Sequence, residues 1–260
     1  MSRLDVFLTE KGFAPTRTKA QELIKDGKVF VDGTVQTKTG QNINESQKVV
    51  VLESEKLKYV SRAGLKLEKA IDVFKIDLNG KTVLDIGSST GGFTDCSLKH
   101  GAKKVIACDV GTNVMDKTLR QNEKVELHEQ TNIKNLEKKC FETADVIVCD
   151  VSFISLEKIF EKLAQESTTS PLIALIKPQF ECGMEIAKKF KGVILNKAIH
   201  IDVINKLIKF ANSLGFYLAD LDFSPIKGGD GNIEYISLFS QSASKNSNID
   251  VEKIVENAFI

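Results

Sequence analysis

Short apolar runs that end in glycine-rich or acidic turns recur along the middle of the chain. Runs of about four to eight residues are typical of strands, whereas apolar residues three or four positions apart are typical of helices. Helical spacing occurs between the runs, for example at Ile201, Ile204 and Leu207. Strands that alternate with helices predict an α/β fold built on a parallel sheet. The predicted strands are residues 82–85, 105–109, 125–128, 145–150, 172–176, 216–223 and 233–239.

The first 55 residues have a different pattern and are predicted to form a small separate α+β domain. Two helical patterns end at Asp26-Gly27, and apolar runs follow at Val29–Val31 and Val49–Leu52. Polar and charged residues then indicate a linker, and a second polar stretch follows the last predicted strand. The predicted divisions are residues 1–55 for the small domain, 56–60 for the linker, 61–240 for the α/β domain and 241–260 for a polar tail.

Three local features complete the prediction of secondary structure. Ser61 is a candidate N-cap for the first helix of the α/β domain. Residues 182–197 are irregular and basic in the middle, which predicts a surface loop over the site. Residues 251–259 have the pattern of a short helix.

The turn after the first strand of the α/β domain is rich in glycine, serine and threonine. It has neither the G-x-G-x-x-G pattern of dinucleotide-binding folds nor the Gly-Lys-Ser/Thr ending of a phosphate-binding loop. Asp85 lies two residues before the first glycine, which favours an uncharged nucleoside cofactor such as S-adenosylmethionine. Asp109, at the tip of the next strand, is expected to accept hydrogen bonds from the ribose hydroxyls. The alternative is an ordinary α/β turn with a capping aspartate.

The predicted cofactor site combines several segments that follow strands, because ligands bind at the carboxyl ends of parallel strands. Glycines let the backbone approach a ligand closely, and residues 129–132 follow the third strand, where such folds hold an adenine ring. The residues predicted to bind the cofactor are Asp85, Gly87, Ser88, Ser89, Gly91, Gly92, Phe93, Thr94, Asp109, Val110, Asn132 and Asp150.

Composition narrows the class of protein further. The 260 residues carry a net charge of +1, which by itself does not indicate nucleic acid. Uncharged runs reach only about ten residues, whereas a membrane-spanning helix needs about twenty, and no apolar leader is evident. The five cysteines have no C-x-x-C spacing, so reduced thiols are expected rather than disulfides or a metal site. These features predict a cytoplasmic protein that acts without a membrane or a metal.

The small domain resembles the RNA-binding module found in a ribosomal small-subunit protein, in pseudouridine synthases and in tyrosyl-tRNA synthetases. The matching residues include Arg3-Leu4-Asp5, Leu23-Ile24 and Gly27-Lys28-Val29. The alternative is a generic helix–helix–strand cap with a solvated basic face. Basic residues of this domain, of the start of the α/β domain and of the loop over the site are candidates for RNA contacts. They are Arg3, Arg17, Lys19, Lys25, Lys28, Arg62, Lys188, Lys189 and Lys191.

Motifs of the α/β domain resemble those of the FtsJ-like ribose 2′-O-methyltransferases and, with the small domain, those of the TlyA family, also called haemolysin A. They are Ser61-Arg62-Ala63-x-x-Lys66-Leu67, residues 150–155, residues 177–181 and residues 224–234. The resemblance implies a Rossmann-like seven-stranded methyltransferase sheet, S-adenosylmethionine as cofactor and a ribosomal RNA cytidine within ribosomal subunits as substrate. It implies a catalytic set of Lys66, Asp150, Lys177 and Glu234. Residues 192–196 lack an arginine expected in that loop, and the apolar residues before Ser61 also differ; both bear on RNA contacts.

Methylation of a ribose 2′-hydroxyl explains why such a set is needed. The hydroxyl is a weak nucleophile that must be held in line with the methyl group and relieved of its proton. Lys177 acts either as a neutral general base or as a charged group that stabilises the developing alkoxide, and the residues leave both alternatives open. Asp150 is expected to orient Lys177, and Lys66 and Glu234 to hold the geometry.

Three other functions remain in competition at this stage. The haemolysin name suggests a pore-forming protein, although no segment is long or amphipathic enough for membrane activity. A methyltransferase that acts on a small molecule or protein is disfavoured by the RNA-binding module. An RNA chaperone without catalysis is disfavoured by the four candidate residues. The sequence does not identify protein partners.

Overall fold

The structure, a computed structural model, describes residues 2–52, 58–243 and 249–260. The chain divides into two compact units, Met1–Ser61 and Arg62–Ile260. The predicted linker at residues 56–60 and the predicted polar tail lie partly outside the described residues.

The first unit has two helices and a small sheet that share one core. Leu4, Leu8, Leu23 and Ile24 are fully buried, with Val29 from the sheet. The sheet order is β3-β2-β5, all antiparallel, and β1 pairs separately with β4. The elements are β1 (Ser2–Arg3), α1 (Leu4–Glu10), α2 (Arg17–Lys25), β2 (Val29–Val31), β3 (Thr34–Gln36), β4 (Asn42–Ile43) and β5 (Val49–Val51). The sequence pattern did not indicate β1, β3 or β4, which are only two or three residues long.

A buried carboxylate joins the start of the chain to α2. Asp5 has no exposed surface and accepts hydrogen bonds from Arg3 Nε at 3.1 Å, Arg17 Nε at 2.9 Å and Gln21 Nε2 at 2.7 Å. Its hydrogen bonds with Arg3, and those with Gln21 and Arg17, hold the pKa of Asp5 well below its usual range despite the burial. Two arginines predicted to contact RNA are thus tied to a structural acid.

The second unit is built on one seven-stranded sheet, as the resemblance implied. The strand order is β11-β12-β10-β9-β6-β7-β8. The five strands from β10 to β8 are parallel, whereas β12 runs antiparallel to both of its neighbours. The strands are β6 (Thr82–Ile86), β7 (Lys104–Cys108), β8 (Val125–His128), β9 (Val146–Cys149), β10 (Leu172–Ile176), β11 (Tyr217–Phe223) and β12 (Tyr235–Ser240).

Helices accompany this sheet. Four of them, α3 (Gly64–Phe74), α4 (Gly92–Lys99), α10 (Lys197–Ser213) and α11 (Val251–Ala258), lie close to predicted segments, whereas the sequence pattern did not indicate the helices between residues 117 and 181. The helix predicted to begin at Ser61 begins at Gly64, with Ala63 at the N-cap and no side-chain cap, so the capping role of Ser61 is wrong. The predicted irregular loop contains a short helix, α9 (Met184–Lys189). The helices are α3 (Gly64–Phe74), α4 (Gly92–Lys99), α5 (Lys117–Arg120), α6 (Lys138–Thr143), α7 (Leu156–Gln165), α8 (Pro178–Glu181), α9 (Met184–Lys189), α10 (Lys197–Ser213) and α11 (Val251–Ala258).

The large sheet is buried in the second unit because its middle strands are apolar. Every residue of β6, β9 and β10 is buried, which is typical of parallel strands covered on both faces. The carboxyl ends of β6, β7, β9 and β10 therefore meet at one edge, where the polar residues that follow them gather. Within the described residues, no helix combines the length and apolar character needed to cross a membrane.

The hydrogen bonds of Asp5 with Arg3, Arg17 and Gln21 are expected to stabilise the first unit. Asp5→Asn should reduce that stability by about 2 kcal/mol or more, because Arg3 and Arg17 lose a buried charged acceptor. Since the pKa of Asp5 is lowered on folding, this contribution is present above the unfolded pKa of about 3.9 and is lost as the pH falls towards the folded value. Hydrogen exchange of amides in residues 2–52 of the full chain measures the effect.

Glu45→Gln is the matched control. Glu45 pairs with Lys11 at 3.4 Å, but its side chain is 83% exposed, so the pair should contribute less than about 1 kcal/mol. Equal hydrogen exchange in the two variants would contradict the structural role of Asp5.

Candidate active site

Four charged side chains meet at the carboxyl edge of the large sheet. Lys66 Nζ lies 2.5 Å from Glu234 Oε2 and 3.8 Å from Asp150 Oδ2. Lys177 Nζ lies 2.5 Å from Asp150 Oδ1. None of the four side chains is more than 14% exposed. The predicted catalytic set, drawn from four distant parts of the sequence, therefore converges in one place.

The register of the sheet determines this convergence. Asp150 directly follows β9 and Lys177 directly follows β10, two neighbouring parallel strands. Because Ile176 pairs with Tyr235 in the antiparallel β10–β12 pair, Glu234 lies opposite Lys177. Pro178 occupies the first position of α8, where its missing N–H has no cost, and so turns the chain directly after Lys177. Lys66 reaches the same place from the first turn of α3.

Two further residues fix the charged groups. Lys177 Nζ donates a hydrogen bond to Ser152 Oγ at 3.1 Å. A Cβ at position 228 would lie 2.0 Å from Glu234 Oε1, so Gly228 leaves the space that the carboxylate occupies. The ion pairs are thus held by their surroundings as well as by each other.

A groove of about 390 Å³ opens beside the four charges. Besides Lys66, Lys177 and Glu234, polar residues and two aromatic rings contribute to its walls. The other lining residues are Arg62, Ser152, Phe153, Gln179, Phe180, Gly192, Gly228, Gly229, Asp230 and Asn232.

A neighbouring cavity of about 290 Å³ has the position predicted for the cofactor. It lies at the ends of β6, β7 and β9 and shares Ser152 and Phe153 with the groove. Six of the predicted cofactor residues line it, together with apolar side chains such as Ile133 and Ile159. These six are Gly87, Ser89, Asp109, Val110, Asn132 and Asp150.

Backbone geometry shapes this cavity for a close-fitting ligand. Gly87 has a φ of +81°, and a Cβ there would lie 2.8 Å from the backbone oxygen of Asp150, so only glycine fits without strain. Asp109 accepts hydrogen bonds from Ser89 N at 2.8 Å and Gly111 N at 2.7 Å, one on each carboxylate oxygen. Its carboxylate is therefore fixed at the cavity wall and retains lone pairs for further hydrogen bonds. Asn132 lies on the same wall and caps a short 3₁₀ helix.

The other predicted cofactor residues lie behind this wall. Gly91 and Gly92 form the turn into α4, and Phe93 is buried in the first turn of that helix. Asp85 is fully buried and accepts a hydrogen bond from Thr94 Oγ1 at 2.6 Å. Burial, with a smaller contribution from Asp150 and Asp109, raises the pKa of Asp85 to about 7 despite the Thr94 hydrogen bond. The six residues absent from the cavity lining are Asp85, Ser88, Gly91, Gly92, Phe93 and Thr94.

The predicted RNA-contacting residues differ in their exposure and in their partners. Lys19 on α2 is only 8% exposed and pairs with Glu22, so little of its side chain is accessible to RNA. Arg3 and Arg17 are about half exposed but paired with Asp5. Lys25 is exposed and Lys28 half-buried. All four of the predicted residues in the second unit are exposed. Arg62 lines the groove, and Lys188, Lys189 and Lys191 lie on α9 or just after it.

Two groove residues were not singled out from the sequence. Phe153 is 89% exposed, has a φ of +64° and lies with its ring centroid 4.8 Å from that of Phe180. An exposed aromatic residue in a strained conformation between two cavities suggests a binding role. Gln179 is buried in the groove wall. Both lie in motifs that carried the family resemblance, residues 150–155 and 177–181, but the sequence assigned no role to either.

The sheet with one antiparallel strand, the glycine turn at β6 and the acid at the tip of β7 define the class of Rossmann-like methyltransferases. A family model described as FtsJ-like methyltransferase matches residues 59–241, and one described as S4 domain matches residues 2–49. Hemolysin A of Brachyspira hyodysenteriae is 43% identical over 91% of this chain and 99% of its own length.

Two further relatives agree with this class. The 16S/23S rRNA (cytidine-2'-O)-methyltransferase TlyA of Mycobacterium tuberculosis is 34% identical over 90% of this chain and 88% of its own length. The solved structure of a Streptococcus thermophilus protein named as a hemolysin is 39% identical, with a TM-score of 0.76, and covers 99% of this chain and 95% of that one. This chain therefore belongs to the FtsJ-like methyltransferases and, among them, to the family of TlyA and Hemolysin A. The resemblance found in the sequence motifs is confirmed.

The raised pKa of Asp85 predicts a pH dependence of stability. Between about pH 4 and about pH 7 the unfolded chain loses the Asp85 proton while the folded chain keeps it, so stability falls as the pH rises. Asp85→Asn does not ionise, and its amide oxygen can still accept a hydrogen bond from Thr94. Its free energy of unfolding should therefore lack this decrease, which is at most roughly 1.4 kcal/mol per pH unit. Urea unfolding followed by circular dichroism from pH 5 to pH 8 tests the expectation. Parallel pH profiles for the two proteins would show that Asp85 is ionised in the fold.

Proposed function

We propose that this chain is an S-adenosylmethionine-dependent methyltransferase that modifies the 2′-hydroxyl of a cytidine ribose in ribosomal RNA. The observation that carries the proposal is the meeting of Lys66, Asp150, Lys177 and Glu234 beside a cavity suited to a nucleoside. The TlyA relative is named for this activity on 16S and 23S ribosomal RNA, and the S4 domain supports an RNA substrate.

The residues that would hold the cofactor are those of the cavity wall. The carboxylate of Asp109 can accept ribose hydroxyls, and Gly87 permits close approach of the backbone. The apolar side chains Ile133 and Ile159 suit the faces of a base. When bound, S-adenosylmethionine supplies a methyl group already activated by a sulfonium centre.

The four charged residues would have different tasks in this reaction. Lys177 Nζ lies 2.5 Å from Asp150 Oδ1 and donates a hydrogen bond to Ser152 Oγ, and its side chain lines the groove, where a ribose oxygen would accept a further N–H. Lys177 would either stabilise the developing alkoxide electrostatically or accept the proton of the hydroxyl as a general base. Asp150 orients Lys177, and the Lys66–Glu234 pair holds Asp150 in place from the other side.

The groove also suits an unpaired nucleotide. RNA-modifying proteins hold such nucleotides by stacking bases on aromatic rings and by contacts from basic side chains to the backbone. Phe153 presents an exposed ring between the groove and the cofactor cavity. Arg62 has an exposed basic side chain on the groove wall. Both lie where the target nucleotide would enter.

Lys177→Ala should keep S-adenosylmethionine binding but reduce methyl transfer to ribosomal subunits by at least about a hundredfold, because one electrostatic donor is typically worth that much. Calorimetry measures the binding, and transfer of a labelled methyl group measures the activity. Lys206→Ala, on an exposed lysine of α10, is the control and should retain full activity. Retained transfer in Lys177→Ala would remove Lys177 from the mechanism.

The double variant Lys25→Ala, Lys28→Ala should weaken RNA binding. The slope of the logarithm of the association constant against the logarithm of the salt concentration should become less negative by about one to two, since each phosphate contact releases about one counterion. Cofactor affinity should not change. Filter binding of ribosomal RNA over a range of salt concentrations measures the slope. An unaltered slope would place the RNA contacts of the first unit elsewhere.

A further inference from the structure

Two buried side-chain amides line the catalytic groove, and they differ in how their hydrogen bonds are satisfied. Asn232 is 3% exposed and Gln179 is 7% exposed. Buried polar groups in folded proteins nearly always have a partner, so one without a partner calls for a specific explanation. The contrast between the two amides therefore separates a structural role from a binding role.

Asn232 is bonded at both ends of its amide. Its Nδ2 donates to the backbone oxygens of Gly192 at 2.9 Å and Gly229 at 3.2 Å, and its Oδ1 accepts from the backbone N–H of Ile194 at 3.1 Å. The amide thus joins the chain at residues 192–194 to the turn before β12. Its polar atoms are used within the protein, and its role is to hold the groove wall together.

Gln179 is different. It is the second residue of α8, two positions after Lys177, and its Oε1 has no hydrogen-bond partner within the described part of the chain. Leaving a buried carbonyl oxygen unpaired costs about 1–3 kcal/mol, which a ligand with a suitable donor would recover. Gln179 lines the groove with Lys66, Lys177 and Glu234 but is not among the residues that line the cofactor cavity. The position of Gln179 therefore favours a contact with the methyl acceptor, which is the RNA nucleotide, rather than with the methyl donor.

We propose that Gln179 binds the target nucleotide, its carbonyl oxygen accepting a hydrogen bond from an N–H or O–H of that nucleotide. The inference rests on the proposed function and adds a contact with the acceptor substrate to it. The hydrogen-bond donor is either the exocyclic amino group of the base or a ribose hydroxyl. Only the first contact distinguishes cytosine from uracil, which carries an acceptor oxygen at that position.

Gln179→Leu removes the amide and keeps the approximate size of the side chain. Because the lost carbonyl has no partner among the residues that the structure describes, the variant should be as stable as the parent and bind S-adenosylmethionine equally well. The KM for ribosomal subunits should rise about tenfold, or kcat/KM fall by the same factor, which corresponds to one hydrogen bond of ordinary strength. Thermal unfolding, calorimetry with the cofactor and steady-state methyl transfer give the three readouts.

Asn232→Leu is the matched control, because it removes the other buried amide of the same groove. It should lower the melting temperature, since three hydrogen bonds to backbone groups are lost. Gln179→Met repeats the main test with a more flexible apolar side chain. Unchanged KM and kcat in both Gln179 variants would overturn the proposal, and so would a parallel loss of stability and cofactor affinity.

Transcripts with cytidine or uridine at the modified position identify the donor. If Gln179 contacts the amino group, the parent prefers cytidine and Gln179→Leu reduces that preference about tenfold. If it contacts a ribose hydroxyl, the variant loses activity equally on both. Failure of the proposed function has a different signature, because the parent protein itself would then transfer no methyl group to ribosomal RNA.

Discussion

Two ion pairs, Lys66–Glu234 and Lys177–Asp150, are the constraint on which the catalytic unit depends. A buried charge without a partner is destabilising by several kcal/mol, so each of these residues requires another. The four come from α3, from the ends of β9 and β10 and from the residue before β12. A slip of one residue in the β10–β12 register would turn Glu234 to the other face of the sheet and take the nearest carboxylate away from Lys66. The site and the topology of the sheet thus determine each other.

Asp150 connects the two parts of the site. Its carboxylate lies between the amines of Lys66 and Lys177, while the residue itself lines the cofactor cavity. Its backbone oxygen also lies where a side chain at position 87 would be, which links the glycine turn to the catalytic charges. Through this one residue the wall that would hold the methyl donor is fixed relative to the groove that would hold the acceptor.

Sequence patterns were sufficient for the features that depend on neighbouring residues. Apolar runs located all seven strands of the large sheet, and the motifs identified the family and four charged residues that do converge. Features that depend on distant contacts could not be read in this way. Nothing near Arg3 and Arg17 in the sequence shows that both pair with Asp5, and the spacing of Lys19 does not show that it is buried.

The same distinction explains which glycine-turn residues line the cavity. A motif specifies that a segment is required, but not whether a residue contacts the ligand or supports the segment. Thr94 and Asp85 bond to each other behind the wall, whereas Gly87 and Ser89 form it. Gln179 and Asn232 present the same problem in the groove, because two amides of similar burial differ only in their partners. Whether a polar side chain serves the fold or the substrate is therefore decided by its hydrogen bonds, which depend on coordinates rather than on residue type.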